Sequence, residues 1–303
     1  MKKFILKFLL FILLLAATDY AVGKFVLMVE NKAKSGQTLK NRKVRKDGVA
    51  DILILGSSRS THHYVPDILE DSLGNSAFVG GQDGNGIIMM YPVLRKFSER
   101  KKPALVIYDF HPPFDLYDDD PHRYLSFIRP MWGSNTGVDS VIVMVDPTER
   151  IKLISHTFRY NSTLPTLLKG LIGQPNPEDK GYVPLTEEYA GNYVPSMPVN
   201  SNYSPIKIEV FKQMINFCRR EGIRLIIVVS PTYYDYIRRD IEFIKNFAAE
   251  NSTEFFDYNA DTTYTGNRTY FNDYDHLNDK GARFFTRQFI TDLKKQTPEK
   301  NVP

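Results

Sequence analysis

Three side chains with the chemistry of a nucleophilic hydrolase lie near opposite ends of this sequence. Ser58 belongs to the turn Gly56-Ser-Ser-Arg59, which follows an apolar run of strand length, and Asp273 and His276 precede the last helical pattern. A serine hydroxyl becomes an effective nucleophile when an imidazole accepts its proton and a carboxylate fixes the imidazole tautomer. Because Asp273 and His276 are three residues apart, one loop can orient the ring towards Ser58. The pattern predicts a serine hydrolase or acyltransferase.

The elements that would bring these residues together alternate between strand and helix, as in parallel βαβ units. Strands are predicted at residues 51–55, 76–79, 104–109, 224–229 and 254–257, and helices at 66–73, 87–100, 205–221, 236–250 and 279–295. Open parallel sheets bind ligands at the carboxyl ends of their strands, and Ser58 directly follows the first strand. We therefore expect an α/β fold, namely a three-layer α/β/α sandwich with a mainly parallel, flavodoxin-like sheet.

The first 29 residues predict a transmembrane helix or a signal segment. A basic start precedes an unbroken apolar run over residues 8–17, and apolar character continues to Val29 despite Asp19 and Lys24. A retained anchor over residues 4–29 would span a bilayer only if the Lys7 and Lys24 side chains extend to its two faces. Alternatively, Ala21-Val-Gly23 offers a small-residue cleavage site that would release a secreted protein. The longer pattern favours the retained anchor.

Residues 30–49 form a basic segment that carries much of the excess positive charge. Seven lysines and arginines occur from Lys32 to Lys46 with no acidic residue among them, although the whole chain has a net charge of only +4. A nucleic-acid surface would interleave such charges with aromatic residues, and this segment has none. We interpret it as a juxtamembrane linker near anionic lipid headgroups, and we predict no nucleic-acid partner.

The main domain is predicted over residues 50–295, with an insertion at 110–202 and a polar tail at 296–303. The insertion interrupts the strand and helix alternation, and contains two further helical patterns at 149–156 and 164–172. A segment of that length within a compact domain is typical of a functional insertion, so we expect it to shape the substrate pocket.

Other residues argue against several kinds of site. The single cysteine, Cys218, excludes an internal disulfide and cannot alone form a thiolate metal site, and it lies on the apolar side of a predicted helix. His62 and His63 are adjacent rather than spaced for metal binding, so no metal is predicted. Asp83-Gly-Asn-Gly86 lacks the lysine of a phosphate-binding loop, and no cofactor is predicted.

Three segments give the chain a resemblance to a known superfamily. They are Ile54-Leu-Gly-Ser-Ser-Arg-Ser-Thr-His-His-Tyr64, Asp83-Gly-Asn-Gly86 and Asp273-Tyr-Asp-His-Leu-Asn-Asp-Lys-Gly-Ala282. An early serine with aspartate and histidine together near the C-terminus differs from the order in α/β-hydrolases, and no Gly-x-Ser-x-Gly elbow occurs. Over residues 50–293 the chain resembles the SGNH (GDSL-like) hydrolases, more closely their membrane-anchored members associated with bacterial envelope polysaccharides.

The resemblance implies roles for individual residues. The family's nucleophile lies two residues after the glycine of its first block, which corresponds to Ser58 rather than Ser57. Its last block places the acid three residues before the base, as at Asp273 and His276. Its second block supplies a glycine amide to the oxyanion hole, which corresponds to Gly84, or to Gly81 or Gly86 in another register.

The third block of the family departs from its pattern here. The family has Gly-x-Asn-Asp after the third strand, with the asparagine in the oxyanion hole, whereas this chain has Tyr108-Asp-Phe-His-Pro112. Asn85 or the Ser58 amide would have to replace that donor. Asp109 is expected to be a polar residue at the strand end. Arg59 could bind a substrate carboxylate or phosphate, or form an ion pair within the protein, which is the more common use of arginine.

What the resemblance implies about function is acyl transfer through an acyl-enzyme on Ser58. The implied substrate is an O-acetyl or similar small acyl ester of an extracytoplasmic glycan. The implied location is the bacterial inner membrane, single-pass, with the catalytic domain in the periplasm. The positive-inside rule points the other way, because more basic residues follow the apolar segment than precede it.

Two alternatives belong to other classes. One is a catalytically degenerate SGNH domain that binds or organises envelope polysaccharide. The other is a metal-dependent hydrolase that uses His62 and His63.

Overall fold

The computed structural model describes residues 1–117, 120–161, 171, 179–193, 195, 202–235 and 237–296. The chain divides into two compact units. We call Met1–Gly48 with Asp120–Asp179 the N-terminal unit, and Val49–Asp119 with Lys180–Pro303 the sheet unit. The predicted helical pattern at 164–172 lies outside the described residues apart from residue 171, as does the predicted tail apart from residue 296.

A five-stranded parallel sheet forms the centre of the sheet unit. Its strands are β1 (Ile52–Gly56), β2 (Ala77–Val79), β3 (Leu105–Asp109), β4 (Arg224–Val229) and β5 (Glu254–Asp257), in the order β2-β1-β3-β4-β5. The register of β1 on β3 places Gly56 beside Asp109, so both strands end at the same edge. Runs of Ile, Leu and Val make up most of β1, β3 and β4, because the inner strands of a parallel sheet are buried on both faces. The predicted parallel sheet is confirmed.

The described residues include twelve α-helices. They are α1 (Lys2–Asn31), α2 (Gly36–Arg42), α3 (Ser58–His63), α4 (Pro66–Leu73), α5 (Ile87–Phe97), α6 (Pro112–Asp115), α7 (Leu125–Ile128), α8 (Thr136–Val145), α9 (Glu149–Lys152), α10 (Pro205–Glu221), α11 (Arg238–Glu250) and α12 (Asp279–Gln296). Helix α9 lies in the predicted pattern at 149–156, whereas α3 and α8 are absent from the sequence prediction.

Helices cover both faces of the sheet. On one face α3, α4 and α12 pack over Ile52 and Ile54 of β1, and Tyr64 contacts Phe285 of α12 edge to face with ring centroids 5.4 Å apart. Helices α5, α10 and α11 lie on the other face. There, the ring centroids of Tyr108 in β3 and Phe211 in α10 are 5.0 Å apart. The three-layer α/β/α sandwich predicted from the sequence is therefore confirmed.

In the N-terminal unit, α1 is long and apolar enough to cross a membrane. The basic segment that follows it is largely helical, formed by α2 and a π-helical turn at Lys43–Asp47. Burial stabilises these turns: Leu39 and Val44 are buried, and the buried Arg45 guanidinium forms an ion pair with Glu30 of α1. Arg42 and Arg45 of this basic segment thus form ion pairs, with Asp47 and Glu30.

Candidate active site

Ser58 lies where β1 turns into α3, at the carboxyl edge of the sheet. Gly56 ends the strand with a φ of 140°, a conformation that glycine adopts readily and other residues rarely do. A Cβ at Gly56 would also lie 2.5 Å from the Asp109 carbonyl oxygen of the neighbouring strand. Only glycine therefore permits this sharp turn beside β3. The turn leaves Ser57 fully buried and Ser58 partly exposed.

Asp273 folds the loop that carries His276. Its Oδ1 accepts hydrogen bonds from the backbone N–H of Asp275 at 2.8 Å and of His276 at 2.9 Å, an Asx-type turn. Both oxygens of the same carboxylate lie 2.9 Å from His276 Nδ1. One carboxylate thus holds both the loop backbone and the imidazole ring.

The structure brings the three predicted residues into one continuous path. His276 Nε2 lies 2.7 Å from Ser58 Oγ, on the side of the ring opposite Asp273. Burial lowers the pKa of His276, but the hydrogen bond to Asp273 and the charges of Asp275 and Asp273 outweigh it, so the pKa is raised above 6.5. Burial raises the pKa of Asp273, but the hydrogen bond and charge of His276 reverse this and lower it. With the proton on Nδ1, Nε2 accepts the hydroxyl hydrogen of Ser58.

The loop between β2 and α5 lies beside this path. Gln82 N–H donates to the Gly56 carbonyl at 3.1 Å, and a Cβ at Gly81 would lie 1.8 Å from Ser60 Oγ, so the two loops are in close contact. Asp83 Oδ1 lies 3.8 Å from His62 Nε2, and the His62 ring is 5.6 Å from the His276 ring.

Two predicted oxyanion donors lie in this same loop. Gly84 has a φ of 68°, in the left-handed region that favours glycine. Asn85 donates its Nδ2–H to the Asp83 carbonyl at 2.9 Å, within its own loop. The Asn85 side chain therefore already has a hydrogen-bond partner that is not a reacting group.

A second Ser, His and Asp set lies buried beside the first, and sequence reasoning missed it. Ser57 Oγ is 2.7 Å from His111 Nδ1, and His111 Nε2 is 3.1 Å from Asp275 Oδ2. Burial lowers the pKa of His111 to about 4, so the ring is neutral at pH 7. Its Nε2–H then donates to Asp275 while Nδ1 accepts from Ser57. His111 belongs to the segment Tyr108-Asp-Phe-His-Pro112 that follows β3. Its spacing from Ser57 and Asp275 carried no signal, because only the fold brings these residues together.

Arg59 is fully buried and faces the protein interior. Its Nη2 lies 3.5 Å from Asp109 Oδ1 and donates to the Phe110 carbonyl, and its Nη1 lies 4.0 Å from Asp275 Oδ1. Burial raises the pKa of Asp109, which ends β3 as expected. The internal ion pair considered for Arg59 is confirmed.

His62 and His63 both hydrogen-bond to protein groups. His62 Nδ1–H donates to the Val183 carbonyl at 2.7 Å. His63 Nε2 accepts from the Leu277 N–H at 2.9 Å, so its Nδ1–H donates to Ser230 Oγ at 2.8 Å. Burial, followed by the positive charge of His276, lowers the pKa of His63 well below its usual value. Within the described part of the chain, no group of three or more His, Cys, Asp and Glu residues is arranged to hold a metal ion.

We compared the chain with known proteins. No family model matches it, and no curated protein matches it. Among solved structures it is similar to a GDSL-like lipase from Bacteroides thetaiotaomicron, with a TM-score of 0.37 and 13% identity over 80% of this chain and 88% of that one. It is also similar to an acetyl xylan esterase from Butyrivibrio proteoclasticus, with a TM-score of 0.35 and 9% identity over 81% and 63%. A gut microbial diltiazem-metabolizing enzyme matches with a TM-score of 0.41 and 15% identity over 79% and 46%.

Proposed function

We propose that this chain is an SGNH-type serine esterase or O-acyltransferase. The observation that carries the proposal is the unbroken path from Ser58 Oγ through the His276 ring to Asp273, with contacts of 2.7 and 2.9 Å. Contacts of that length are within proton-transfer reach. The path lies at the carboxyl edge of a parallel sheet, where such folds bind ligands.

The reaction proceeds in two halves. Ser58 Oγ attacks the ester carbonyl carbon as its proton passes to His276 Nε2, and Asp273 stabilises the imidazolium. The tetrahedral intermediate collapses, the ester C–O bond breaks, and the leaving alcohol takes the proton from His276. Water or a sugar hydroxyl then gives its proton to His276, attacks the acyl-enzyme and restores Ser58. Water makes the protein an esterase, and a sugar hydroxyl makes it a transferase.

Backbone amides receive the negative charge that develops on the carbonyl oxygen. We assign this role to the amides of Ser58 and Gly84, with Asn85 as a further donor if its side chain turns towards the substrate. One such donor contributes about 3 to 4 kcal/mol to transition-state stabilisation in acyl-transfer enzymes. The number of donors therefore governs how fast this site can act.

The substrate we propose is a small acyl ester, such as an O-acetyl group, on an extracytoplasmic glycan. The sequence resemblance to envelope-associated SGNH proteins supports this class. Helix α1, long and apolar enough to cross a membrane, supports a single-pass protein. The resemblance, rather than the helix, supports the bacterial inner membrane with the sheet unit in the periplasm. Release after signal cleavage is the alternative.

One observation favours a second function, a degenerate domain that binds or organises envelope polysaccharide without turnover. Where the family has an oxyanion-hole asparagine, this chain has Tyr108-Asp-Phe-His-Pro112. Both ring nitrogens of His111 already have hydrogen-bond partners, Ser57 and Asp275. The intact Ser58, His276 and Asp273 path argues against it.

Labelling with a fluorophosphonate probe separates the two functions. We expect the full chain to be labelled on Ser58, and Ser58→Ala to lose labelling together with about 10⁶-fold of kcat towards p-nitrophenyl acetate, as for other triad serines. Ser57→Ala tests which of the two adjacent serines reacts, because this variant keeps the nucleophile and should still be labelled on Ser58 at saturating probe. Absence of labelling, a modified residue other than Ser58, or equal hydrolysis by the wild type and Ser58→Ala would overturn the proposal.

A further inference from the structure

Helix α1 contains a carboxylate that is held by a distant part of the N-terminal unit. Asp19 accepts hydrogen bonds from Ser155 Oγ at 2.6 Å, from His156 N–H at 2.6 Å and from Thr157 N–H at 3.0 Å. An ionisable residue in an apolar helix is costly in a bilayer unless it is paired. These three donors supply the pairing, so the loop at residues 155–157 is attached to the helix at Asp19.

The contact continues along the C-terminal half of α1. A Cβ at Gly23 would lie 2.5 Å from the His156 Cβ, so glycine allows the loop to lie directly against the helix. Val26 packs with Tyr160 in a small buried cluster. Residues 19–26 are therefore part of the folded unit, and cleavage after Gly23 would separate Asp19 from the loop that it binds.

The order of these contacts gives the loop a direction. The chain lies beside Asp19 at residues 155–157 and beside Val26 at Tyr160, so it advances towards the C-terminal end of α1. Followed backwards from Ser155, the chain therefore leads towards the uninterrupted apolar segment. Ile151 and Ile154, four and one residues before Ser155, are 74% and 73% exposed. Two large aliphatic side chains are thus left exposed within a few residues of the contact with a membrane-length helix.

We propose that residues 151–157, the interfacial loop, rest in the bilayer interface beside α1, with Ile151 and Ile154 inserted at the boundary between headgroups and acyl chains. Apolar side chains bind there by burying their surface from water. Asp19 holds the loop on the helix, and α1 is retained as an anchor rather than cleaved. The proposal depends on α1 spanning the bilayer and is independent of the reaction at Ser58.

Site-specific fluorescence in vesicles tests the loop. The full chain would carry Cys218→Ser and one introduced cysteine, either Ile151→Cys or Ile154→Cys. The control is Lys245→Cys, at an exposed position of α11. Each introduced cysteine would be labelled with NBD. The proteins would be reconstituted in phosphatidylethanolamine and phosphatidylglycerol vesicles with and without doxyl-labelled lipid. We expect doxyl lipid to lower the fluorescence about twofold or more at both isoleucine positions, with no change at Lys245→Cys. No quenching at the isoleucine positions, or equal quenching at all three, would overturn the proposal.

Asp19 and retention of the helix need two further measurements. Asp19→Leu should reduce the quenching at Ile154→Cys, while Asp19→Asn, which keeps an acceptor oxygen, should preserve most of it. Equal quenching in both variants would contradict the holding role of Asp19. The intact mass of the membrane-purified wild type should include residues 1–23, and a chain that begins at residue 24 would refute retention.

A second inference rests on different contacts, in the sheet unit. Ser57 immediately precedes Ser58, Asp275 immediately precedes His276, and the His111 ring bridges Ser57 and Asp275. We infer that His111 is a positioning residue that sets the separation between Ser58 Oγ and His276 Nε2. This inference rests on the proposed function.

Kinetics of three variants, Ser57→Ala, His111→Ala and Asp275→Asn, test the positioning role. A misplacement of about 1 Å can cost about 10²-fold in rate, so we expect kcat to fall about 10- to 100-fold with little change in KM. Asp275→Asn also removes a negative charge that raises the pKa of His276. Since His276 must be neutral to accept a proton, the rising limb of kcat/KM should move to lower pH in Asp275→Asn and stay in place in Ser57→Ala.

The outcomes distinguish positioning from simple support of the fold. The inference would be overturned if the variants lost stability but kept wild-type kcat per folded molecule. It would also be overturned if the rising limb of kcat/KM did not move in Asp275→Asn. Loss of the proposed function itself would appear differently, as an inactive and unlabelled wild type.

Discussion

Replacing Asp273 with asparagine should lower kcat by about 10⁴-fold, the loss known for the equivalent change in a serine protease triad. The side-chain amide of the introduced asparagine would donate to His276 Nδ1 and move the ring proton to Nε2. Nε2 then points a hydrogen at Ser58 Oγ and cannot accept its proton. The measurement is kcat for an acetyl ester, with the thermal unfolding midpoint recorded on the same samples.

The structure indicates why Asp273→Asn should act on chemistry rather than on folding. The Oδ1 atom that accepts the N–H groups of Asp275 and His276 is retained in asparagine, so the Asx turn persists. Asp292→Asn, in the middle of α12, is a matched control that should keep wild-type kcat. A loss of less than about tenfold in Asp273→Asn would show that His276 works without this carboxylate.

The second large effect concerns stability. Arg59→Leu should lower the free energy of unfolding by about 3 to 5 kcal/mol, because it leaves buried carboxylates without their cation. Asp109 lies fully buried 3.5 Å from the guanidinium, and Asp275 lies 4.0 Å away. Urea unfolding at neutral pH, monitored by circular dichroism, measures the change.

The pair between Arg224 and Glu254 supplies the control for Arg59. It is a shorter arginine and carboxylate contact, at 2.7 Å, but its side chains are 20% and 39% exposed. Arg224→Leu should therefore cost only about 0 to 1 kcal/mol, the range of surface ion pairs. If Arg59→Leu instead kept full stability and raised only KM, the guanidinium would be facing the substrate.

Apolar patterning was sufficient for the fold of the sheet unit. Strands β4 and β5 and helices α4 and α10 have the predicted bounds, because each is a short apolar or amphipathic run ended by glycine, proline or polar residues. Helix α3 was missed because its six residues, Ser58–His63, carry no apolar periodicity. Contacts with α12, rather than local propensity, stabilise it.

The candidate site was predictable only where spacing carries the information. Asp273 and His276 are close in sequence, and strand order places Ser58 at the same edge of the sheet, so their meeting could be anticipated. The bridge from Ser57 through His111 to Asp275 joins three separate segments, and no spacing encodes it. Likewise, nothing in the apolar pattern of α1 indicates that Ser155 would bond to Asp19.

The N-terminal unit is assembled from two stretches of chain, and this limits how the protein can be shortened. Residues 1–48 contribute Val26 and Arg45, and residues 120–179 contribute Tyr160 and Phe127, which contact them. A truncated chain that begins at residue 49 would lack Val26 and Arg45, the partners of Tyr160 and Phe127. The apolar surface left exposed would then favour aggregation. During synthesis, too, more than seventy residues are added after residue 48 before the second stretch of the unit, which begins at Asp120, is available to pack against the first.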